Sequence, residues 1–136
     1  MTTGGPVDAI RAAVAALNSG DIDGYLRHFE PSCKRWVAGF DQPLTLADIR
    51  GSLHQLRGAF ESLHLDEDLL FGNEQFVCAR WRLRGIHVSD YMGIAPRRRE
   101  IDAQSCEVYE FRGDLVFATW TYGDPGQMFR QIGAVS

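Results

Sequence analysis

The chain has 136 residues, 45% hydrophobic, 11% aromatic and 24% charged, which is enough apolar material for one ordinary core. Fourteen basic against eighteen acidic residues leave a formal charge of -4, without the basic excess that a nucleic-acid partner needs. No apolar run approaches the roughly 18 residues of a membrane span, and the opening MTTGGPVD lacks the basic and apolar stretches of a signal peptide. The expectation is a soluble, cytoplasmic protein of one domain over residues 1–136, with neither nucleic acid nor membrane as partner.

Helical signals come first along the chain. Pro6 suits the first helical position, Val7, Ile10, Val14 and Leu17 recur at helical spacing, and Gly20 closes the helix. Ile22, Tyr25, Leu26 and Phe29 predict a shorter second helix, ended by Pro31. Trp36, Ala38 and Phe40 alternate as a short strand does. Thr45, with Asp48 three residues on, reads as the N-cap of a third and longest helix carrying Leu46, Ile49, Leu53, Leu56 and Phe60.

After Phe60 the period changes to two. One strand is predicted from Leu63 to Phe71, a turn at Gly72–Asn73, and a second strand from Gln75 to Val88. In that second strand Val77, Ala79, Trp81 and Leu83 share one face, and Arg80, Arg82 and Arg84 the other. A third strand runs from about Arg97 to Phe111. Arg112-Gly113-Asp114 makes a tight turn, better read so than as an adhesion motif, and Leu115–Tyr122 returns as the fourth strand. Helices followed by a strand meander predict an α+β fold with the helices on one face of a curved antiparallel sheet.

The residues available for chemistry are few in kind. Cys33, Cys78 and Cys106 are odd in number and widely spaced, and His28, His54, His64 and His87 show no metal-binding spacing, so neither a disulfide framework nor a metal site is expected. If the last strand continues from Val116, then Ala118, Trp120, Tyr122 and Asp124 share one face. A carboxylate beside two aromatics is desolvated and its pKa raised, which suits proton removal from an activated carbon. Glu107 shares parity with Tyr109 and Phe111 and can enter the same interior as a second carboxylate. Glu110 and Asp102 are read as solvated, as is the Arg97-Arg98-Arg99 loop. The basic face of Arg80, Arg82 and Arg84 is expected to meet neighbouring acids or a partner subunit.

Several stretches then resemble one family. The segment Gly85-Ile-His87-Val-Ser-Asp-Tyr91-Met-Gly93-Ile-Ala-Pro96-Arg97-Arg-Arg99 is similar to the "GxHxGxxxGxxPTGR" hairpin of SnoaL-like polyketide cyclases, within the NTF2-like superfamily. The tail from Trp120 through Asp124 and Gln131 to Gly133 resembles that family's "WxxxDxxGLLxQLG" ending. Gly58-Ala59-Phe60 sits at the family's "AFPDL" junction.

The resemblance implies a cone of three N-terminal helices and a strongly curved sheet around an apolar pocket. It implies intramolecular aldol ring closure of a polyketide-like, hydrophobic substrate, without metal or organic cofactor and with homodimers or larger homo-oligomers. Asp124 corresponds to the family's acid/base. Tyr122 stands where the family's best-known cyclases carry a histidine, and its phenol would donate to a substrate oxygen; His87 occupies the histidine of the hairpin pattern. Trp120, Trp81, Trp36 and Phe40 are candidate pocket walls that stack on a flat substrate. Epoxide opening on the same scaffold and a non-catalytic binding or dimerisation module are the alternatives.

Overall fold

A computed structural model describes residues 4–133. The elements run α1 (Pro6–Asn18), α2 (Ile22–Leu26), β1 (Phe29–Val37), α3 (Leu46–Ala59), β2 (Phe60–Gly72), β3 (Phe76–His87), β4 (Glu100–Arg112), β5 (Leu115–Gly123) and α4 (Gln127–Gln131). Strands order as β1-β5-β4-β3-β2, with β2 to β5 an antiparallel meander and β1 added parallel to β5. This is the expected α+β cone.

Local chemistry sets most boundaries. Pro6 opens α1, and Gly20, at φ 93°, takes the left-handed conformation that ends it. Thr45 and Asp48 form a complete capping box: the Thr45 hydroxyl accepts from the Asp48 amide, and the Asp48 carboxylate from the Thr45 amide. The sequence reading erred at Pro31, which stops no helix. α2 ends at Leu26, and Pro31 lies inside β1, an edge strand where a missing N–H breaks no ladder. The strand expected at Trp36–Phe40 accordingly lies earlier, at Phe29–Val37.

The core fills the concave side of the sheet. Ile10, Ala13 and Val14 of α1, Tyr25 and Leu26 of α2, and Ile49 of α3 pack on Val77, Ala79, Trp81, Tyr109, Phe111 and Val116. A smaller cluster of Ala59, Phe60, Ile101 and Ile132 seats α4. The sheet curls because its register breaks once in the β1–β5 pairing, twice in β2 and once between β4 and β5. Ser62, at φ 54°, lies in the first β2 break.

On the convex side, registered pairs align Trp36, Trp120, Val108, Cys78 and Phe71 in one apolar row across all five strands. The arginines of β3 on this side meet acids: Arg80 Nε lies 3.8 Å from Asp68, Arg82 Nε 3.0 Å from Asp102 and Arg84 Nε 2.7 Å from Asp66.

α4, absent from the sequence reading, is fastened by two glutamines one turn apart. Gln127 exchanges hydrogen bonds with the Gln104 backbone (2.7 and 3.0 Å), and Gln131 with that of Asp102 (3.1 and 2.7 Å). Both lie where β5 has ended and β4 would otherwise present open backbone. Replacing Gln131 with Leu should cost about 1 kcal/mol in urea unfolding, and Gln127→Leu about as much, because water can replace part of each exposed pair.

Candidate functional site

The concave face is built in rows. Arg35, Thr119, Tyr109 and Val77 are in register; the next row is Val37, Thr121, Glu107 and Ala79; then come Gly123, Ser105 and Trp81, and then Ala103 and Leu83. Above the last three rows, beside α4, lies an apolar cavity of about 190 Å³. Val37, Leu83, Ala103 and Met128 supply its apolar walls, Ser105 and Thr121 its hydroxyls, and Asp124 its rim. A larger hollow of about 720 Å³ lies at the opposite end of the β4–β5 hairpin, against Gly4–Pro6 and Gly113–Asp114. It is as polar as it is apolar, and its ionisable lining residues are the carboxylates Asp8, Glu74 and Asp114.

Beneath the cavity, charge is buried in a connected network. Arg35 Nη2 lies 3.0 Å from Glu107 Oε2 and donates to the Tyr25 hydroxyl at 3.1 Å; Nε donates to Thr119 at 3.3 Å. The Trp81 indole donates to Tyr109 (3.0 Å), whose hydroxyl donates to Glu107 Oε1 (3.2 Å). Burial works against the Arg35 charge, but Glu107 and the two phenols outweigh it and hold the guanidinium above its ordinary pKa. Burial, then the Glu107 charge, pushes the Tyr109 phenol well above its usual value, so it remains a donor. Glu107 is 7% exposed. Its Oε2 accepts no aligned hydrogen bond despite the ion pair, and the Thr121 hydroxyl opposite is also buried without a partner.

Asp124 differs from expectation. Its side chain is 55% exposed; it pairs with Arg130 on α4 and accepts from the Gly126 amide at 2.8 Å. The hydrogen bond from Arg130, then that from Gly126, lowers its pKa, the reverse of the shift expected from two aromatic neighbours. Those neighbours are elsewhere. Tyr122, 49% exposed, and the half-buried Trp120 project from the convex face.

The cause is the register break between Glu110 and Phe111. Counted straight back from the Arg112–Leu115 pair, Trp120 would oppose Glu107. The extra residue at Phe117 brings Thr121 there instead and reverses the face of everything after it. Arg112 lies over the Phe117 ring, 3.4 Å from its centroid.

The other expected residues scatter. Trp36 shares the convex row with Trp120. Phe40, 61% exposed, lies in the turn after β1 rather than in a pocket wall. Trp81 is buried on the concave face, bonded into the network below the cavity. His87, fully buried, stacks on Phe60 at 5.1 Å, and neither ring nitrogen has a partner; it does not line the cavity. Of the expected site residues, then, Asp124 alone lines this cavity, and Glu107 lies beneath it without lining it. Arg35, Thr121 and Ser105 were missed. The only signal for the two hydroxyls was their register with Glu107, which the bulge concealed. Among the described residues no cluster of three or more His, Cys, Asp or Glu could hold a metal ion, and no helix is long and apolar enough to cross a membrane.

Comparison with known proteins places this geometry. The profile of the SnoaL-like polyketide cyclases matches residues 7–132. Among solved structures, AclR of Streptomyces galilaeus, described as a candidate hydroxylase, superposes with a TM-score of 0.85 at 21% identity, covering 95% of this chain and 96% of its own. IdmH of Streptomyces antibioticus, described as a candidate polyketide cyclase, gives 0.81 at 22% identity, covering 94% and 98%. TsrD of Streptomyces laurentii gives 0.79 at 20% identity, covering 94% of each. Among proteins of curated function, none matches the chain.

The Arg130 pairing has a measurable consequence. In Arg130→Met, an NMR titration should show the Asp124 carboxyl pKa rising back toward its ordinary value. Because the folded-state pKa is the lower one, the stability that this pair adds is complete at neutral pH and is lost as pH falls through that lowered value.

Proposed function

Because the chain belongs to the SnoaL-like polyketide cyclase family, we propose that it closes a ring within a polyketide-like intermediate by aldol chemistry, with Asp124 as the acid/base. The observation that carries this reading is a carboxylate held ionised at the rim of an apolar cavity. Asp124 takes a proton from carbon, the resulting enolate carbon bonds to a carbonyl carbon of the same molecule, and the proton returns to the new alkoxide oxygen. The reaction is an isomerisation, and its electrons balance without another reagent.

The low pKa restricts the substrate. A carboxylate of depressed pKa is a weak base, so the carbon it can deprotonate is one flanked by two carbonyls. Much of the rate gain then comes from folding a reactive chain into near-attack geometry. A panel of poly-β-keto esters, followed by chromatography for cyclised product, tests this. Asp124→Asn, nearly unchanged in volume, should lower turnover at least 100-fold; near-normal turnover would remove the acid/base role. Oxygen from labelled water appearing in the product would assign epoxide opening instead.

The expected homo-oligomer also has a surface to form on. The row Trp36, Trp120, Val108, Cys78 and Phe71, with Leu69, Phe76 and Tyr122 beside it, leaves large apolar side chains exposed on one face. In sedimentation velocity the chain should run as a dimer or larger, and Val108→Lys, in the middle of the row, should shift it to monomer.

A further inference from the structure

As Asp124 removes a proton from carbon, negative charge collects on the neighbouring carbonyl oxygen of the substrate, and that oxygen needs a hydrogen-bond donor. The groups around the cavity offer few. Thr121 Oγ1 is sealed, Gln127 Nε2 donates to the Gln104 carbonyl at 2.7 Å, the Gly126 amide donates to Asp124 itself, and Pro125 has no N–H. Ser105 remains. It lines the cavity and is half-buried, and its hydroxyl has no hydrogen-bond partner among the described residues. Unlike Thr121 Oγ1, that hydroxyl is not closed off from solvent.

Register brings Ser105 next to the carboxylate. Ser105 on β4 is paired with Gly123, the last residue of β5, and Asp124 follows directly. Paired Cα atoms lie roughly 5 Å apart and consecutive ones about 3.8 Å, so Ser105 and Asp124 stand roughly 6 Å apart at the backbone. Gly123 carries no side chain to cover Ser105. A methyl group built there would lie 3.4 Å from Ser105 Cβ.

We propose that Ser105 is a further catalytic residue, the donor to the enolate oxygen of the substrate. The inference rests on the ring-closure reading and adds to it the group that holds the charge. When Asp124 takes the proton, the C–H electron pair becomes the C=C bond of the enolate. Charge moves to oxygen, where the Ser105 O–H donates a hydrogen bond and keeps its own proton. The enolate carbon then bonds to the second carbonyl carbon, the charge passes to the new alkoxide, and Asp124 returns the proton there. Ser105 is left on a re-formed carbonyl. Base and donor thus act at opposite ends of one H–C–C=O unit.

An enolate mimic tests this without any reaction. Dimedone, a cyclic 1,3-diketone ionised to its enolate at neutral pH, is compared by calorimetry with 3,3-dimethylcyclohexanone, a neutral ketone of nearly the same shape. The protein is the full chain with Asp124→Asn, whose carboxamide stands for the protonated acid that faces the enolate. It should bind dimedone about tenfold tighter than the ketone. Adding Ser105→Ala should remove most of that preference and leave affinity for the ketone within about threefold. Ser105→Ala alone should lower turnover of the poly-β-keto esters about 100-fold with little change in KM. A preference left intact by Ser105→Ala, no preference in Asp124→Asn, no binding of dimedone, or normal turnover in Ser105→Ala would each overturn the proposal. No proton moves in the calorimetry, so a failed preference leaves the role of Asp124 standing. Normal turnover in Asp124→Asn removes that role without altering the measured preference.

Discussion

The buried contact between Arg35 and Glu107 is the constraint on which the rest of the interior depends. Arg35 stands on β1, Glu107 on β4, and β5 runs between them, so the pair spans three strands and also reaches α2 through Tyr25. A charge this enclosed is tolerated only when paired and hydrogen-bonded. Against an apolar replacement of equal volume such a pair is worth little, but removing one partner alone costs about 3–5 kcal/mol. Its main effect on the fold is register. A one-residue slip of β1 on β5 would turn Arg35 to the convex face and leave Glu107 stranded.

That constraint also sets apart the two carboxylates at and beneath the cavity. Asp124 meets solvent and a single surface arginine, whereas Glu107 meets a guanidinium, a phenol and almost no water. One is exposed at the rim, and the other is locked into the buried network. Between them lie Leu83, Ala103 and Val37, which offer a substrate no competing hydrogen bonds.

Most of the architecture was legible in the sequence because it rests on local chemistry. Thr45 and Asp48 announced α3, Gly72–Asn73 and Gly113–Asp114 announced turns, and the alternation of Val77, Ala79 and Trp81 gave the concave face of β3. Glu107 was found because Tyr109 and Phe111 share its parity. The aromatics of β5 were misplaced because a bulge adds one residue without altering composition or propensity. Nothing in Phe117 itself distinguishes a bulged residue from a paired one. Pro31 misled for a similar reason: whether a proline breaks an element or sits harmlessly on its edge depends on strand order, which is not local. The parallel β1–β5 pairing lies further still from the sequence, since the two strands are separated by most of the chain.

The glutamine clasps of α4 carry a consequence for motion. The sheet proper is held by ladders of backbone bonds that open only with the strands themselves, whereas α4 is held there by side-chain amides. Release of the helix would need these side chains to rotate and the cluster under Ile132 to part, but no strand pair to open. The wall of the cavity that contains Met128 is therefore less tightly fastened than the sheet that carries Glu107. One wall of the cavity is thus built on backbone ladders and the other on side chains.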